Sequence, residues 1–397
     1  MPATLATVTA ITKEVYGPRI INVLNEEDVL AKRIEKTSRG TVSDVGGKYV
    51  TFPLRIRRNS GIGYRNENER LQAAGQQGYI SVRVGLKYGY GRTHMTGQTM
   101  DLVDTNATAF AKAMEQEMSG LKNDIKKDTN RVMYGDGTGT VAVIATNTVF
   151  TDLTVVNGQY LEPGMQIDVI NPATGAISEY NIQIVAVDGV NVAVSANLGG
   201  VADDLAGFVI VRNGNYGREP HGLTSLVDDS GTLFGVNAAT EPKWRAFVNS
   251  NAGVARPLSE GLMIALCDQI RTAGTGKTSA IFADLASRRA YFNLLSQQRR
   301  YNDPKTYEGG LVGLAFNYGT EIPVVEDVDA PPGKMWFLDE SSFTIYRDKD
   351  WSWEDRDGSI WKWVKDYDAY EALLKKYWEF AVDVRNANGV LEDIAAG

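Results

Sequence analysis

Residues able to do covalent or metal chemistry are few in this chain. Among 397 residues there are two histidines, His94 and His221, and one cysteine, Cys267. A three-ligand His/Cys metal site and a Cys/His dyad are both poorly supported by so small a set. Cys267 follows the apolar stretch Leu262-Met263-Ile264-Ala265-Leu266, so it reads as a small core residue. A single cysteine forms no intrachain disulfide, and this usage fits a reducing compartment.

Several motifs imitate sites. Gly274-Thr275-Gly276-Lys277-Thr278 resembles half of a phosphate-binding loop, but Arg271 stands where the first glycine belongs. Its context is also inverted. A phosphate loop runs from strand to helix, so that a helix N-terminus faces the anion, whereas here a helix precedes and a strand follows. Gly135-Asp136-Gly137-Thr138-Gly139 lacks dinucleotide-fingerprint spacing and reads as a helix exit turn. Asp350, Glu354, Asp355 and Asp357 cluster without EF-hand spacing and read as a solvated acidic face among tryptophans. Trp351, Trp353, Trp361, Trp363 and Trp378 have mostly acidic neighbours, which disfavours base stacking and favours a core or subunit interface. No catalytic constellation emerges, and the expectation is that the chain is not an enzyme and holds no cofactor or metal.

The elements carry more information than the motifs. Val50, Phe52, Leu54 and Ile56 alternate with polar residues. So do Ile80, Val82, Val84, Leu86, Tyr88 and Tyr90. This period-two pattern predicts two half-buried antiparallel strands, Lys48–Arg57 and Tyr79–Tyr90. Pro53 marks an edge or unpaired position. The connection from Arg58 to Gly78 is too long for an ordinary hairpin and reads as functional or flexible. Ala107, Ala111, Met114, Met118, Leu121, Ile125 and Val132 then step by threes and fours, predicting one long helix from Ala107 to Met133. Asp128 interrupts that stripe, while Lys112, Glu115, Lys122, Lys126 and Asn130 occupy the opposite face. A projecting ribbon and a long single-faced helix bury little within one subunit, which points to assembly.

Residues 141–212 change in character. Six short strands separated by Pro163-Gly164, Asn171-Pro172 and Asp188-Gly189, with almost no Lys or Arg, read as a small β-barrel or sandwich. Beyond Gly214 the pattern is mixed. Helices are expected at Leu258–Ala273, capped near Ser259, and at Leu285–Gln298, capped by Asp284. Strands are expected at Thr278–Ala283, Ile322–Val325, Met335–Leu338, Phe343–Arg347 and Tyr377–Arg385. The first 45 residues read as an arm with a helical patch at Ile20–Ala31.

Composition bounds the partners. Net charge is −8, so no whole-protein attraction draws the chain to nucleic acid. No apolar run reaches the ~18 residues a membrane helix needs, and the first residues lack a signal-peptide layout. The chain is expected to be made in the cytosol.

The order of parts resembles the major capsid protein of tailed bacteriophages, the Hong Kong 97-type shell fold. The parts are an arm, a long ribbon, a spine helix ending in Tyr134-Gly135-Asp136-Gly137, and then a mixed α/β region. Gly222-Leu223, Leu233-Phe234-Gly235-Val236, Lys243-Trp244-Arg245-Ala246 and Pro257-Leu258-Ser259 are similar to the entry into that family's axial domain. The resemblance implies an α+β fold with an N-terminal arm (1–45) and an extended β-hairpin loop (46–98). It implies a peripheral domain with the spine helix (99–140 and 346–397), an inserted β domain (141–213) and an axial domain with its connection (214–345).

The implied function is an icosahedral shell of hexamers and pentamers around double-stranded DNA, held without sequence-specific binding. The implied partners are further copies of the chain, a portal protein, a separate scaffold protein and a decoration protein. No membrane is involved. The implied location is the virion capsid, assembled in the host cytoplasm. Some members of this family weld the shell through a loop lysine. No lysine lies between Lys48 and Lys87 here, so a noncovalent shell is expected. Arg58, Arg65, Glu67, Glu69 and Arg70 are the candidate intersubunit ion pairs. The alternatives are an encapsulin-like compartment and a surface protein whose β module binds carbohydrate.

Overall fold

The computed structural model describes residues 28–37, 49–98, 107–147, 150–198, 205–274, 276–298, 315–355 and 358–395. The first helix, α1 (Val29–Thr37), buries Leu30 and Ile34 completely, a pair four residues apart on one face. Its early N–H groups bond to distant side chains: Leu30 N donates to Asp327 Oδ2 (3.0 Å) and Ala31 N to Asn130 Oδ1 (3.1 Å). Most of the patch expected at Ile20–Ala31 lies outside the described residues, and the helix itself continues to Thr37.

β1 (Tyr49–Arg57) and β2 (Gly78–Gly85) form an isolated two-stranded ribbon, in register from Tyr49↔Gly85 to Arg57↔Gly78 with a bulge after Arg55. Alternation assigns its faces. Val82 and Val84 are fully buried, and Val50, Phe52, Leu54 and Ile80 pack against the main core. At Leu86 the chain changes sheets, and β3 (Lys87–Thr96) pairs with a late strand instead. The second ribbon strand therefore ends earlier than alternation suggested. Tyr88 and Tyr90 do not continue the buried row. They are about 60% exposed and rest edge-on against Tyr377.

The spine helix α2 spans Ala107–Tyr134, 28 residues, or about 42 Å at 1.5 Å per residue. Met118, Leu121 and Ile125 are half-buried, and Val132, Met133 and Tyr134 are buried. Asn130, expected on the solvent face, is completely buried. The last two turns enter the core, where polar partners from another loop await it.

A closed barrel follows: β4 (Thr140–Asn147), β5 (Phe150–Val155), β6 (Gln166–Ile170), β7 (Ile177–Asp188), β8 (Asn191–Leu198) and β9 (Val209–Arg212), in the order β4-β5-β8-β7-β6-β9. Its core, including Ile144, Leu153, Ile167, Val169, Ile184 and Ile210, comes entirely from residues 141–210. Thr140 pairs with Val211, so the chain enters and leaves side by side.

The remainder holds α3 (Leu223–Leu226), the hairpin β10 (Thr232–Leu233) and β11 (Val236–Asn237), and β12 (Phe247–Asn249). Next come α4 (Glu260–Ala273), β13 (Ala280–Ala283), α5 (Leu285–Gln298), β14 (Ala315–Asn317), β15 (Glu321–Glu326) and β16 (Met335–Leu338). The Ser259 side chain caps α4 by accepting from Leu262 N (3.3 Å). Asp284 caps α5 by accepting from Ala286 N (3.0 Å) and Ser287 N (3.3 Å). The last strands are β17 (Phe343–Arg347), β18 (Ser352–Trp353), β19 (Trp361–Trp363), β20 (Ala369–Val382) and β21 (Gly389–Leu391).

One six-stranded sheet runs β12-β21-β16-β13-β15-β14. In the other sheet β20 is the hub, with β17, β18 and β19 along one edge and β3 along the other. The final long strand thus begins at Ala369 rather than Tyr377 and stops before Arg385. Arg385 lies in a 3-10 turn, its guanidinium bonded to the carbonyls of Ser225, Leu226 and Trp244.

Candidate functional site

Two of the sequence motifs that imitate binding sites are tied into the fold, in whole or in part. The Gly274 N–H closes α4 on Ile270 O (3.0 Å). A Cβ at Gly274 or Gly276 would collide with the segment Asn386-Ala387, so glycine is there for close packing. In the acidic cluster, Asp350 pairs with Lys376 (3.2 Å) and Arg347 (3.4 Å), and Glu354 with Lys375 (3.6 Å). Burial works against the Asp350 carboxylate, but Lys376, the Trp351 N–H and Arg347 outweigh it and hold its pKa below the usual range. Asp355 is exposed, and Asp357 lies outside the described residues. Lys376 sits between the rings of Trp351 and Trp378 at 5.9 and 4.9 Å, so two tail tryptophans serve a cation. Trp363 faces solvent.

Burial pushes the Cys267 thiol up to about 11, which leaves it unreactive at neutral pH. His94 is exposed on β3, and His221 is tied to Glu379 by its backbone N–H (2.6 Å) and Nδ1 (3.2 Å). Among the described residues no group of three His, Cys, Asp or Glu side chains is placed to hold a metal ion. No helix there is long and apolar enough to cross a membrane.

The surface that stands out is the ribbon and its connecting loop. Two glycines let the loop's legs meet. A Cβ on Gly61 would approach Gly75 N to 2.7 Å. Asn59 Oδ1 accepts from Gly61 N (2.7 Å), and Gln72 Nε2 donates to Gly61 O. Within this frame Glu69 closes a turn by accepting from Asn66 N (2.9 Å), and Asn68 takes φ 61°.

Arg58, Arg65, Glu67, Glu69 and Arg70 are all exposed. The fold brings none of them into an ion pair with another described residue. The same loop presents three large apolar side chains that alternation did not reveal: Ile62, Tyr64 and Leu71 are 82%, 98% and 81% exposed. Their spacing follows neither strand nor helix periodicity, so nothing marked them in the sequence. The ribbon's outer face adds Arg55, Arg57 and Arg83. A groove of about 740 Å³ beneath it is bordered by Arg55, Arg57, Arg58 and Lys243.

A buried polar junction ties the spine helix to α1, to the 327–329 loop and to the barrel. Asn130 Nδ2 donates to Asp327 (3.1 Å) and Asp329 Oδ2 (2.6 Å), and Tyr134 OH donates to Asp327 Oδ2 (3.1 Å). Burial raises the Asp329 carboxyl above the ordinary range, although Asn130 and Lys127 pull it down. Tyr160 and Gln159 of the barrel donate to the Asp329 and Val328 carbonyls. Arg131 joins Asp128 (2.8 Å) to Glu219 (2.6 Å), and Arg212 meets Asp128 from the barrel's exit strand (3.0 Å). The Asp128 that interrupts the apolar stripe is therefore an ion-pair anchor between spine and barrel.

No protein-family model matches the sequence, and no curated protein matches it. Solved structures match along its whole length. The cyanophage A-1(L) capsid subunit aligns with a TM-score of 0.62 at 15% identity, over 99% of each chain. The capsid protein of a native GTA particle gives 0.54 at 11%, over 100% of this chain and 99% of that one. A Mycobacterium phage Bobi protein gives 0.51 at 10%, over 99% of each. At such identities the shared property is the fold.

Proposed function

We propose that this chain, whose fold is the α+β Hong Kong 97-like shell fold, is the major capsid protein of a tailed bacteriophage. The observation that carries this reading is the full-length likeness to a phage capsid subunit. The ribbon supports it independently. Its loop leaves Ile62, Tyr64 and Leu71 in water together with unpaired charges. Fully burying such a side chain is worth about 1.5–3 kcal/mol, so a neighbour that covers the loop stabilises both chains.

Copies assemble as hexamers and pentamers into an icosahedral virion shell in the host cytoplasm. The shell encloses double-stranded DNA without reading its sequence. An acidic chain suits a container that must release its contents, since every phosphate contact would tighten the hold. Residues 1–45 act as the arm and 46–98 as the extended loop. Residues 99–140 with 346–397 make the peripheral domain, 141–213 the inserted domain and 214–345 the axial domain. Arg58, Arg65, Glu67, Glu69 and Arg70 pair across subunits, each pair worth about 0–1 kcal/mol but repeated around the shell. A portal protein, a separate scaffold protein and a decoration protein complete the set of partners.

The test is to express the chain, isolate its largest species and image them by negative-stain electron microscopy. Closed shells or capsomer rings are expected, with DNA inside particles recovered from infected cells. A compact monomer under all conditions, with candidate scaffolds added, overturns the reading.

A further inference from the structure

Charge is sharply segregated along this chain. Residues 48–98 carry nine Lys and Arg against two carboxylates, Glu67 and Glu69. Residues 141–211, the barrel, carry seven carboxylates and no Lys or Arg. The ribbon's inner face is apolar and packed on the core, so its arginines share the outer face. Arg55 lies opposite Tyr79, and Arg83 opposite Thr51. The Arg83 guanidinium stands 5.1 Å over the Tyr49 ring, which holds it upright on that face. Arg57 reaches Glu241 at 3.4 Å, but Arg55, Arg58 and Arg83 have no carboxylate partner among the described residues. On the barrel, Glu162 and Asp188 face solvent, while Asp168 is turned inward onto Asn181 N and Gly214 N. Tyr180 and Val185 on β7 are also exposed on the barrel.

We propose that the ribbon's arginine and tyrosine face, with the groove beside it, docks on the barrel of a second copy of this chain. The inference rests on the shell reading and names the surface that receives the ribbon. Complementary faces of this kind fix register and speed encounter more than they add affinity. An acidic barrel also repels other barrels, which favours the ribbon-to-barrel arrangement over like-with-like contacts.

The test co-assembles isotope-labelled and unlabelled full-length chains carrying Arg55→Lys and Arg83→Lys. These changes keep the charge and supply amines. A zero-length carbodiimide then joins amines to carboxylates in contact. Mixed-isotope peptide pairs linking position 55 or 83 to Glu162, Glu179 or Asp188 are the expected result. Shells whose links run only to other regions overturn the docking and leave the shell reading intact. A wild-type chain that forms no particles overturns both.

In a second arm, Arg55→Glu with Arg83→Glu is expected to lower particle yield about tenfold or more as attraction becomes repulsion. Glu162→Lys with Asp188→Lys is expected to restore part of that yield, and circular dichroism confirms that each variant folds. Full yield from the arginine reversal overturns the proposal. If those particles also hold less DNA, nucleic acid is the ribbon's partner.

Discussion

At the scale of single residues, the junction of α1, α2 and the Asp327–Asp329 loop holds the most consequential side chain. Asn130 satisfies two buried carboxylates and one helix N-terminal N–H at once. Asn130→Ala takes the acceptor from the Ala31 N–H and one donor from each carboxylate, while Asp327 keeps Leu30 N and Tyr134 and Asp329 keeps Lys127. A buried group left without its partner costs about 1–3 kcal/mol, so a loss in that range is expected, measured by denaturant unfolding of the dissociated subunit. Glu379 offers a pH test. Burial raises its carboxyl above the ordinary 4.5, against three pulls downward from His221 and one from Lys87. A carboxyl that holds its proton more tightly folded than unfolded makes stability rise as pH falls from the folded value toward 4.5. Above the folded value its unfavourable contribution is constant. Asp128 and Asp350, held below their usual range, act in the opposite sense at lower pH. Glu379→Gln is expected to flatten the stability-against-pH slope above 4.5 relative to the parent chain. An unchanged slope contradicts it.

At the scale of elements, the barrel is the part whose independence can be measured. Its core residues come from one continuous stretch, and Thr140 and Val211 are ladder partners. Replacing 141–210 by a two-residue Asn-Gly turn fits that geometry. The shortened chain is expected to melt cooperatively within a few degrees of the parent, and the isolated segment 140–212 to fold by itself. Loss of cooperative melting in the shortened chain would mean that the Tyr160 and Gln159 bonds hold the Val328–Asp329 loop in place.

The barrel was also the most legible part of the sequence. All six strands could be placed because alternation and turn residues are local signals. The spine helix, α4, α5, β16 and β17 were legible for the same reason. β12, β14, β18, β19 and β21 were not, because strands of two or three residues are defined by their partners rather than by a period. Asn130 was misread because helical spacing cannot foresee two carboxylates arriving from a loop nearly 200 residues away. At the candidate surface the loop charges were legible as charges, but Ile62, Tyr64 and Leu71 were not legible as an exposed apolar group.

At the scale of the whole molecule, what holds copies together is open to a direct chemical test. An isopeptide weld at the ribbon needs an amine near the loop, and residues 49–86 contain no lysine. Carboxamides are plentiful there, at Asn59, Asn66, Asn68 and Gln72, so the amine is the missing reactant. In the proposed shell, cohesion is then expected from the exposed apolar loop residues, once a neighbour covers them, and from ion pairs. These two respond differently to conditions. Salt screens exposed pairs over a Debye length of about 10 Å at 0.1 M, but leaves apolar burial intact or strengthens it. Boiling assembled particles in detergent is therefore expected to give monomer alone on a denaturing gel, without a ladder of covalent oligomers. Raising salt before heating is expected to lower the particles' dissociation temperature if arginine contacts dominate, and to raise it if Ile62, Tyr64 and Leu71 dominate. A covalent ladder would place a reactive amine elsewhere in the chain, with Lys48 and Lys87 at the ribbon's base the first to replace.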